Sequence, residues 1–299
     1  MMRGVLLRIG LWAAVLTLGA LGAVYGLPNH PTWAGVLVGT VPLALAPAWG
    51  ALLVLAIHDV CGGRWLEGEV RGGMETWALG TLVLGWLWPL GQAAKVSGGG
   101  WASALAVLGA LVPAGALGCW AYRMVFAKSE GARRTAAVGS LLTWALGLIW
   151  TYGVGGFRVG PAGALAPLMA TVDLFQVGFA LVGLELGWRG NLGREGHWAS
   201  VFGQGAFAAL AAYLAYCEGI VRWFGDGSGK VLIANMGLRI VLVGLGMQIG
   251  FGLGAFAIPK NHRGQWAFGA SALLAFLGVM LKWIGTGLLL GDGTSPWGN

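Results

Sequence analysis

Long apolar stretches, separated by short polar segments, recur along the whole chain. A helix needs about 20 apolar residues to cross the hydrocarbon core of a bilayer, and nine of these stretches are close to that length. The pattern predicts an all-α fold, a polytopic transmembrane helical bundle of about nine spans. We place them at residues 5–27, 33–57, 76–93, 101–127, 135–155, 162–186, 198–224, 232–258 and 265–290.

The connecting segments are too short to form a separate soluble domain, so residues 1–299 are predicted to be a single integral membrane domain. The stretch from Met1 to Leu27 begins with basic residues and continues as a long apolar run. It lacks a small-residue cleavage site before Pro28, and further spans follow. We therefore interpret it as the first span rather than as a signal peptide.

Composition supports lipid as the main solvent. Hydrophobic residues make up 57% of the chain and charged residues 10%, whereas a soluble domain has roughly 25% charged residues. So few charges do not cover a water-facing surface. The 56 glycines suit close approach of helices in lipid, and the 17 tryptophans suit the headgroup layers.

Basic residues predict the orientation. With a cytoplasmic N-terminus, the cytoplasmic segments carry 12 of the Lys and Arg residues and the opposite side carries four. This asymmetry is typical of bacterial inner-membrane proteins and puts the C-terminus in the periplasm. The net charge of +7 lies mainly in these segments. We therefore assign it to topology and predict no nucleic-acid partner.

Ionisable residues inside spans are costly and tend to face partners or cavities. Asp173 lies within the sixth predicted span, and Gln176 is on the same helix face three residues later. A buried carboxylate with polar neighbours can take up and release protons. An ion pair that holds two spans together is the structural alternative, and both remain open. Arg239 and Lys282 could neutralise Asp173 or Glu218 across helices, and the sequence does not decide between the two acids.

A second set of polar residues lies near the end of the seventh predicted span. Glu218 and Arg222 are four residues apart, so they can pair along one helix face, and Tyr213 and Tyr216 precede them. These four residues are candidates for contact with a quinone head group, with Glu218 as proton acceptor. The alternative is an intrahelical ion pair with interfacial aromatic anchors.

His58 and Asp59 end the second predicted span, where a histidine can serve as a proton relay or as a helix-end cap. Glu185 is expected to be solvated or paired with Arg189 four residues later. The three cysteines show no metal-ligand spacing, so no metal site is predicted. A haem held by His58, His197 or His262 is left open, and nothing favours it.

Two groups of motifs resemble a known family. The first is His58-Asp-Val-Cys-Gly-Gly-Arg-Trp65, followed by Val70-Arg-Gly-Gly-Met-Glu-Thr-Trp-Ala-Leu79 and Trp88-Pro-Leu-Gly91. The second is Leu168-Met-Ala-Thr-Val-Asp173 with Tyr213-Leu-Ala-Tyr-Cys-Glu-Gly-Ile-Val-Arg-Trp223. Together they resemble the F subunit of alternative complex III, a quinol:cytochrome c oxidoreductase, among the polysulfide-reductase-type (NrfD-like) membrane subunits.

The resemblance implies a bundle of eight to ten spans without its own haem, embedded in a respiratory complex and discussed as a route for protons. It carries over His58, Asp173 and Glu218 as proton-relay candidates. The chain departs from the family at Leu174 and Val177, where members tend to have Trp and Ser.

The leading hypothesis is therefore a membrane subunit of a quinol-linked respiratory electron-transfer complex, which contributes quinone contact or a proton route. Quinone is the candidate cofactor, and none is expected to be covalently bound. Without a metal or haem site the chain is not catalytic alone, so electrons must leave through partners: iron–sulfur and cytochrome c subunits, or an oxidase. The alternatives are a secondary transporter of a small molecule and a non-catalytic assembly or scaffold protein.

Overall fold

The computed structural model describes residues 33–66, 68–87, 89, 101–150, 165–189, 194–220, 236–259 and 262–291. These ranges contain α-helices and one short 3-10 helix, Ala255–Ala257, and no strand, which confirms the all-α prediction. The helices are α1 (Trp33–Val60), α2 (Gly68–Leu84), α3 (Trp101–Phe126), α4 (Glu130–Ile149), α5 (Ala166–Arg189), α6 (Arg194–Ile220), α7 (Met236–Gly254) and α8 (His262–Gly291).

Six of these helices are long and apolar enough to cross a bilayer. The candidate spans are Leu43–Val60, Val107–Phe126, Pro167–Arg189, Gly196–Ile220, Leu238–Ala257 and Gly264–Gly285. The chain is thus a multi-pass membrane protein by the length and composition of its helices. The number of spans and the orientation of the termini stay predictions.

The nine predicted spans agree with the helices to different degrees. Eight of them overlap α1 to α8, and the first, 5–27, lies outside the described residues. α2 and α4, at the third and fifth predicted spans, are not among the six spanning candidates. α2 has only 17 residues, and both helices carry charged residues near their start: Glu69, Arg71 and Glu75 in α2, and Glu130, Arg133 and Arg134 in α4.

The helices pack as two groups of four. In the first ring, α1 and α3 each pack against α2 and α4; in the second ring, α5 and α7 each pack against α6 and α8. The two rings join mainly where α1 packs against α5, with a smaller contact between α2 and α5. α1 and α5 are therefore the most buried of the spanning helices.

Glycine permits the close contact between the rings. A Cβ added at Gly50 of α1 would lie 2.7 Å from Leu174 O and 2.9 Å from Gly178 N of α5. Both distances are shorter than a normal van der Waals contact, so the two backbones touch directly. Similar contacts join α5 to α8 at Gly187 and Gly269, as expected for helices that pack in lipid.

Candidate functional site

Asp173 and Lys282 form an ion pair inside the second ring. Asp173 lies two turns into α5 and is 2% exposed, and Lys282 of α8 is 5% exposed. Lys282 Nζ donates to Asp173 Oδ1, and Trp283 Nε1 donates to Asp173 Oδ2 at 2.7 Å. Of the two cations predicted to neutralise Asp173, the structure selects Lys282, since Arg239 is exposed.

Two glutamines complete this cluster. Gln248 Nε2, from α7, donates to Asp173 Oδ1 at 2.9 Å and to Gln176 Oε1 at 2.7 Å. Gln176 Nε2 in turn donates to the Gln248 carbonyl at 2.9 Å. Asp173 and Gln176 therefore share one helix face, as predicted from their spacing. We call Asp173, Gln176, Gln248, Lys282 and Trp283 the Asp173 cluster; it joins α5, α7 and α8.

The hydrogen bonds of the cluster fix the orientation of both amides. Gln176 Nε2 meets a carbonyl, which only accepts, so Gln176 Oε1 must face Gln248. Gln248 Nε2 then lies between two acceptors, and Gln248 Oε1 points elsewhere. This oxygen is fully buried and accepts no hydrogen bond from the described residues. Buried acceptors of this kind are commonly satisfied by an ordered water.

More polar side chains lie inside the second ring on α6. Gln204 Nε2 donates to Ser200 Oγ at 3.0 Å, and Ser200 Oγ donates to the Phe179 carbonyl at 3.0 Å. Gln204 Oε1 is a second buried acceptor without a donor in the described part of the chain. A Cβ added at Gly252 of α7 would lie 2.9 Å from Gln176 Nε2 and 3.3 Å from Gln204 O. Polar atoms thus continue from the Asp173 cluster towards α6.

His58 belongs to a separate charged cluster between α1 and α2. Arg71 binds Asp59 with two hydrogen bonds, of 2.8 and 2.9 Å, and also donates to Glu75 at 2.8 Å. His58 Nδ1 lies 2.9 Å from Asp59 Oδ1. Hydrogen bonding to the Asp59 carboxylate raises the pKa of the Arg71 guanidinium above its ordinary value. This cluster fixes the end of α1 against the start of α2.

Within the described residues, the His58 ring forms no hydrogen bond with a helix-end carbonyl. Main-chain N–H groups of Cys61 and Gly63 bind the carbonyls of Ile57 and His58, at 2.9 and 2.8 Å. Gly62 between them has a φ of 62°, the left-handed conformation that ends many helices. The ring instead packs edge-on against Trp65, with the two centroids 5.0 Å apart. Its Nε2 atom is buried and has no hydrogen-bond partner in the described part of the chain.

Glu185 is buried at the other end of α5, where we had expected it to be solvated or paired. It accepts from Arg189 Nε at 3.1 Å, which confirms the pairing four residues apart, and from Trp77 Nε1 of α2 at 3.2 Å. Glu185 is 6% exposed because Gly73 of α2 packs directly on the carboxylate. Arg189 also pairs with Glu69. These contacts attach α2 to α5.

Two of the proposed quinone contacts, Tyr213 and Tyr216, do not face the other described helices. Tyr213 and Tyr216 are 62% and 65% exposed, so their side chains face the outside of α6. Glu218 is half-buried, and Arg222 lies outside the described residues. The predicted Glu218–Arg222 pair therefore stays a prediction. Within the described ranges no three His, Cys, Asp or Glu side chains are grouped so that they could hold a metal ion.

Sequence reasoning identified Asp173, Gln176 and Lys282 but missed two members of the cluster, Gln248 and Trp283. A signal was present, since Gln248 interrupts an apolar stretch and Trp283 follows Lys282 directly. No protein-family model matches the chain, and neither a curated protein nor a solved structure matches it. The function is therefore argued from the Asp173 cluster.

Proposed function

We propose that this chain is a membrane subunit of a quinol-linked respiratory electron-transfer complex in the bacterial inner membrane, and that it supplies a proton route through the Asp173 cluster. The observation that carries the proposal is the Asp173–Lys282 ion pair, buried within a ring of apolar helices. Ionisable groups at such depth are expensive and typically mark ion or proton pathways.

The chemistry of quinol oxidation matches such a pair. Each oxidation releases protons, and a buried acid–base pair can accept and pass them on. The chain supplies no electron carrier in our proposal; iron–sulfur and cytochrome c subunits, or an oxidase, take the electrons. The buried amides of Gln176, Gln248 and Gln204 and the Ser200 hydroxyl are polar groups along which ordered water could conduct protons.

Of the two contributions expected for such a subunit, the geometry favours the proton route over quinone contact. A head-group site needs polar groups that converge on one cavity. Tyr213 and Tyr216 instead point away from the other described helices. A quinone would have to approach Glu218 from the bilayer. In the Asp173 cluster, in contrast, Lys282, Trp283 and Gln248 all donate to one carboxylate. Gln176 binds Gln248 beside it.

The test replaces Asp173 by Asn in the host membrane and compares it with Glu130→Gln, which removes an exposed carboxylate on α4. Quinol-dependent electron flow and the protons released per electron are measured together with the abundance of the tagged complex. We expect Asp173→Asn to lower proton release in an assembled complex and Glu130→Gln to leave it unchanged. Normal electron flow and proton release with normal assembly would reject the proposal.

The partner part of the proposal has its own test. A tag on this chain should co-purify iron–sulfur and cytochrome c subunits, or oxidase subunits, from solubilised membranes. Recovery of the chain without any redox-active subunit, under conditions that preserve other respiratory complexes, would contradict it.

One observation favours a second candidate, a secondary transporter. The first and second rings have the same order of helix neighbours, and many transporters consist of two similarly built repeats with a site near the membrane centre. The purified chain alone should then drive uptake of a solute into liposomes, and Asp173→Asn should abolish it. A respiratory subunit would show no such uptake without its partners.

A further inference from the structure

The geometry points to Lys282, rather than Asp173, as the group that gives up and takes back the proton in the second ring. The inference rests on the proposed proton route and names the proton carrier within it. Asp173 acts in this scheme as a positioning residue that remains an anion throughout.

The donors around Asp173 are matched to a carboxylate and not to a carboxylic acid. Oδ1 accepts from Lys282 and from Gln248 at 2.9 Å, and Oδ2 accepts from Trp283 at 2.7 Å. The indole N–H only donates, and the Gln248 amide is held in its orientation by Gln176. Two neutral donors therefore remain aimed at the carboxylate whatever Lys282 does, and hydrogen bonds to the charged form favour that form.

Lys282 can lose a proton without breaking up the cluster. An ammonium has three N–H bonds, and the neutral amine keeps two that can still be donated to Asp173 Oδ1. In the step, one N–H bond of Lys282 breaks and the proton forms an O–H bond with a water molecule. No electrons are transferred, and the net charge of the pair changes from zero to minus one. Reprotonation from water restores the ion pair.

Among the described residues, charged side chains on the helices that pack against α8 lie on α5, α7 and α1. On α5, Glu185 and Arg189 bind each other, and Glu185 is 12 residues from Asp173, about 18 Å along the helix. On α7, Arg239 is exposed.

α1 also touches α8, over a small contact, and its charged side chains are the last of the described residues to consider. There the pair His58 and Asp59 is bound to Arg71. Asp173 is thus the charged side chain that the described structure joins to Lys282 in an ion pair.

Infrared difference spectroscopy on the purified chain in bilayers tests the protonation state without any assay of function. Spectra taken at acid and alkaline pH are compared for the wild type, Asp173→Asn and Lys282→Met. We expect the protonated-carboxyl bands of the wild type and of Asp173→Asn to be the same, because Asp173 is an anion in the wild type. Lys282→Met should acquire such a band, because methionine gives Asp173 neither a cation nor the N–H donor that the neutral amine retains. A wild-type band that disappears in Asp173→Asn would overturn the inference.

Lys282→Arg tests the same point in the assembled complex. Arginine keeps the positive charge beside Asp173 but does not release a proton at accessible pH. We expect Lys282→Arg to assemble normally and to slow proton release as strongly as Lys282→Met, by about 100-fold or more. Wild-type proton release by Lys282→Arg would overturn the inference.

The two proposals fail in different ways. If Asp173→Asn slows proton release and Lys282→Arg does not, the proton route stands and its carrier is not Lys282. If neither variant changes proton release in an assembled complex, the proposed function itself is rejected, and with it the role of Lys282.

Discussion

The ammonium group of Lys282 on α8 donates a hydrogen bond to the Asp173 carboxylate on α5, and both side chains are almost completely buried. The two residues are 109 positions apart in the chain. Two charges removed from water are stable only when they pair and their remaining hydrogen-bonding capacity is used. Gln248 and Trp283 supply these further hydrogen bonds to the carboxylate. With them in place, the ion pair stabilises the contact between α5 and α8.

The first prediction concerns the energy of this pair. Asp173→Asn leaves a buried ammonium, and Lys282→Met leaves a buried carboxyl group that must either stay charged or take up a proton; each change should cost about 3–5 kcal/mol of unfolding free energy. The double variant Asp173→Asn/Lys282→Met contains neither charge and should be more stable than either single variant. Thermal unfolding of all four proteins in detergent micelles measures the difference.

The control for the pair is Glu130→Gln, which breaks an exposed pair with Arg134 whose atoms are 4.0 Å apart. Exposed pairs contribute little, so its unfolding temperature should match the wild type. Strict additivity of Asp173→Asn and Lys282→Met would show that the two charges do not stabilise each other.

The sequence predicted the buried acid but not its partners, for a physical reason. Asp173 and Lys282 can be placed inside spans from the sequence alone, because each is a charged residue within a long apolar stretch. Which cation faces which acid depends on how α5, α7 and α8 pack around one another. Arg239 and Lys282 were equivalent in the sequence, and only packing separates the exposed residue from the buried one.

The tyrosines show the converse problem. Tyr213 and Tyr216 are within one to two turns of Glu218, so their spacing predicts that they line a pocket beside it. Three residues apart on a helix they do share a face, but that face of α6 points away from the second ring. Periodicity fixes which residues share a face; it does not say whether the face is turned towards other helices or towards lipid.

The second prediction concerns the crossing of α1 and α5. A Cβ at Gly178 would lie 2.5 Å from Val54 Cγ2 and 2.8 Å from the Gly50 carbonyl carbon. Gly178→Ala should therefore force the helices apart and lower the unfolding free energy by about 1–3 kcal/mol.

The matched control for the crossing is Gly246→Ala on α7, where an added Cβ meets nothing within 4 Å. Alanine there should be neutral or stabilise the helix by roughly 0.5–1 kcal/mol. Equal unfolding temperatures for Gly178→Ala and Gly246→Ala would contradict the close contact of the two rings.

The third prediction concerns Arg71, which binds Asp59 with two parallel hydrogen bonds. Arg71→Ala should leave a nearly buried carboxylate with His58 in place of its arginine partner and cost up to about 3–5 kcal/mol. Arg71→Lys keeps the charge but not the planar fork, so its cost should be intermediate. Unfolding temperatures of these variants are compared with that of Arg64→Ala, an exposed arginine in the segment between α1 and α2.

The pH dependence of the Arg71 contact follows from the direction of its pKa. The pKa is raised in the folded protein by hydrogen bonding to Asp59. A raised pKa gives stability that is fully present below the ordinary arginine value and is lost only as the pH rises through the raised value. The difference in unfolding temperature between wild type and Arg71→Ala should therefore stay constant from neutral to moderately alkaline pH. A difference that shrinks over that range would assign the stabilisation to another group.

The last prediction separates the hydrogen bond of Trp283 from its size. Trp283→Phe removes the N–H that binds Asp173 Oδ2 at 2.7 Å and keeps an aromatic ring in place. A carboxylate oxygen left without its donor in the interior should cost about 1–3 kcal/mol. Trp266→Phe, the same change at an exposed position near the start of α8, should cost much less.

A double variant then shows whether the loss arises at Asp173. In Asp173→Asn the acceptor is no longer charged, so adding Trp283→Phe should cost less than Trp283→Phe does in the wild type. Calorimetric unfolding of the four proteins gives the coupling between the two side chains. If Trp283→Phe costs the same in both backgrounds, the indole stabilises the protein by packing alone, and the carboxylate keeps fewer fixed donors than its role as a permanent anion requires.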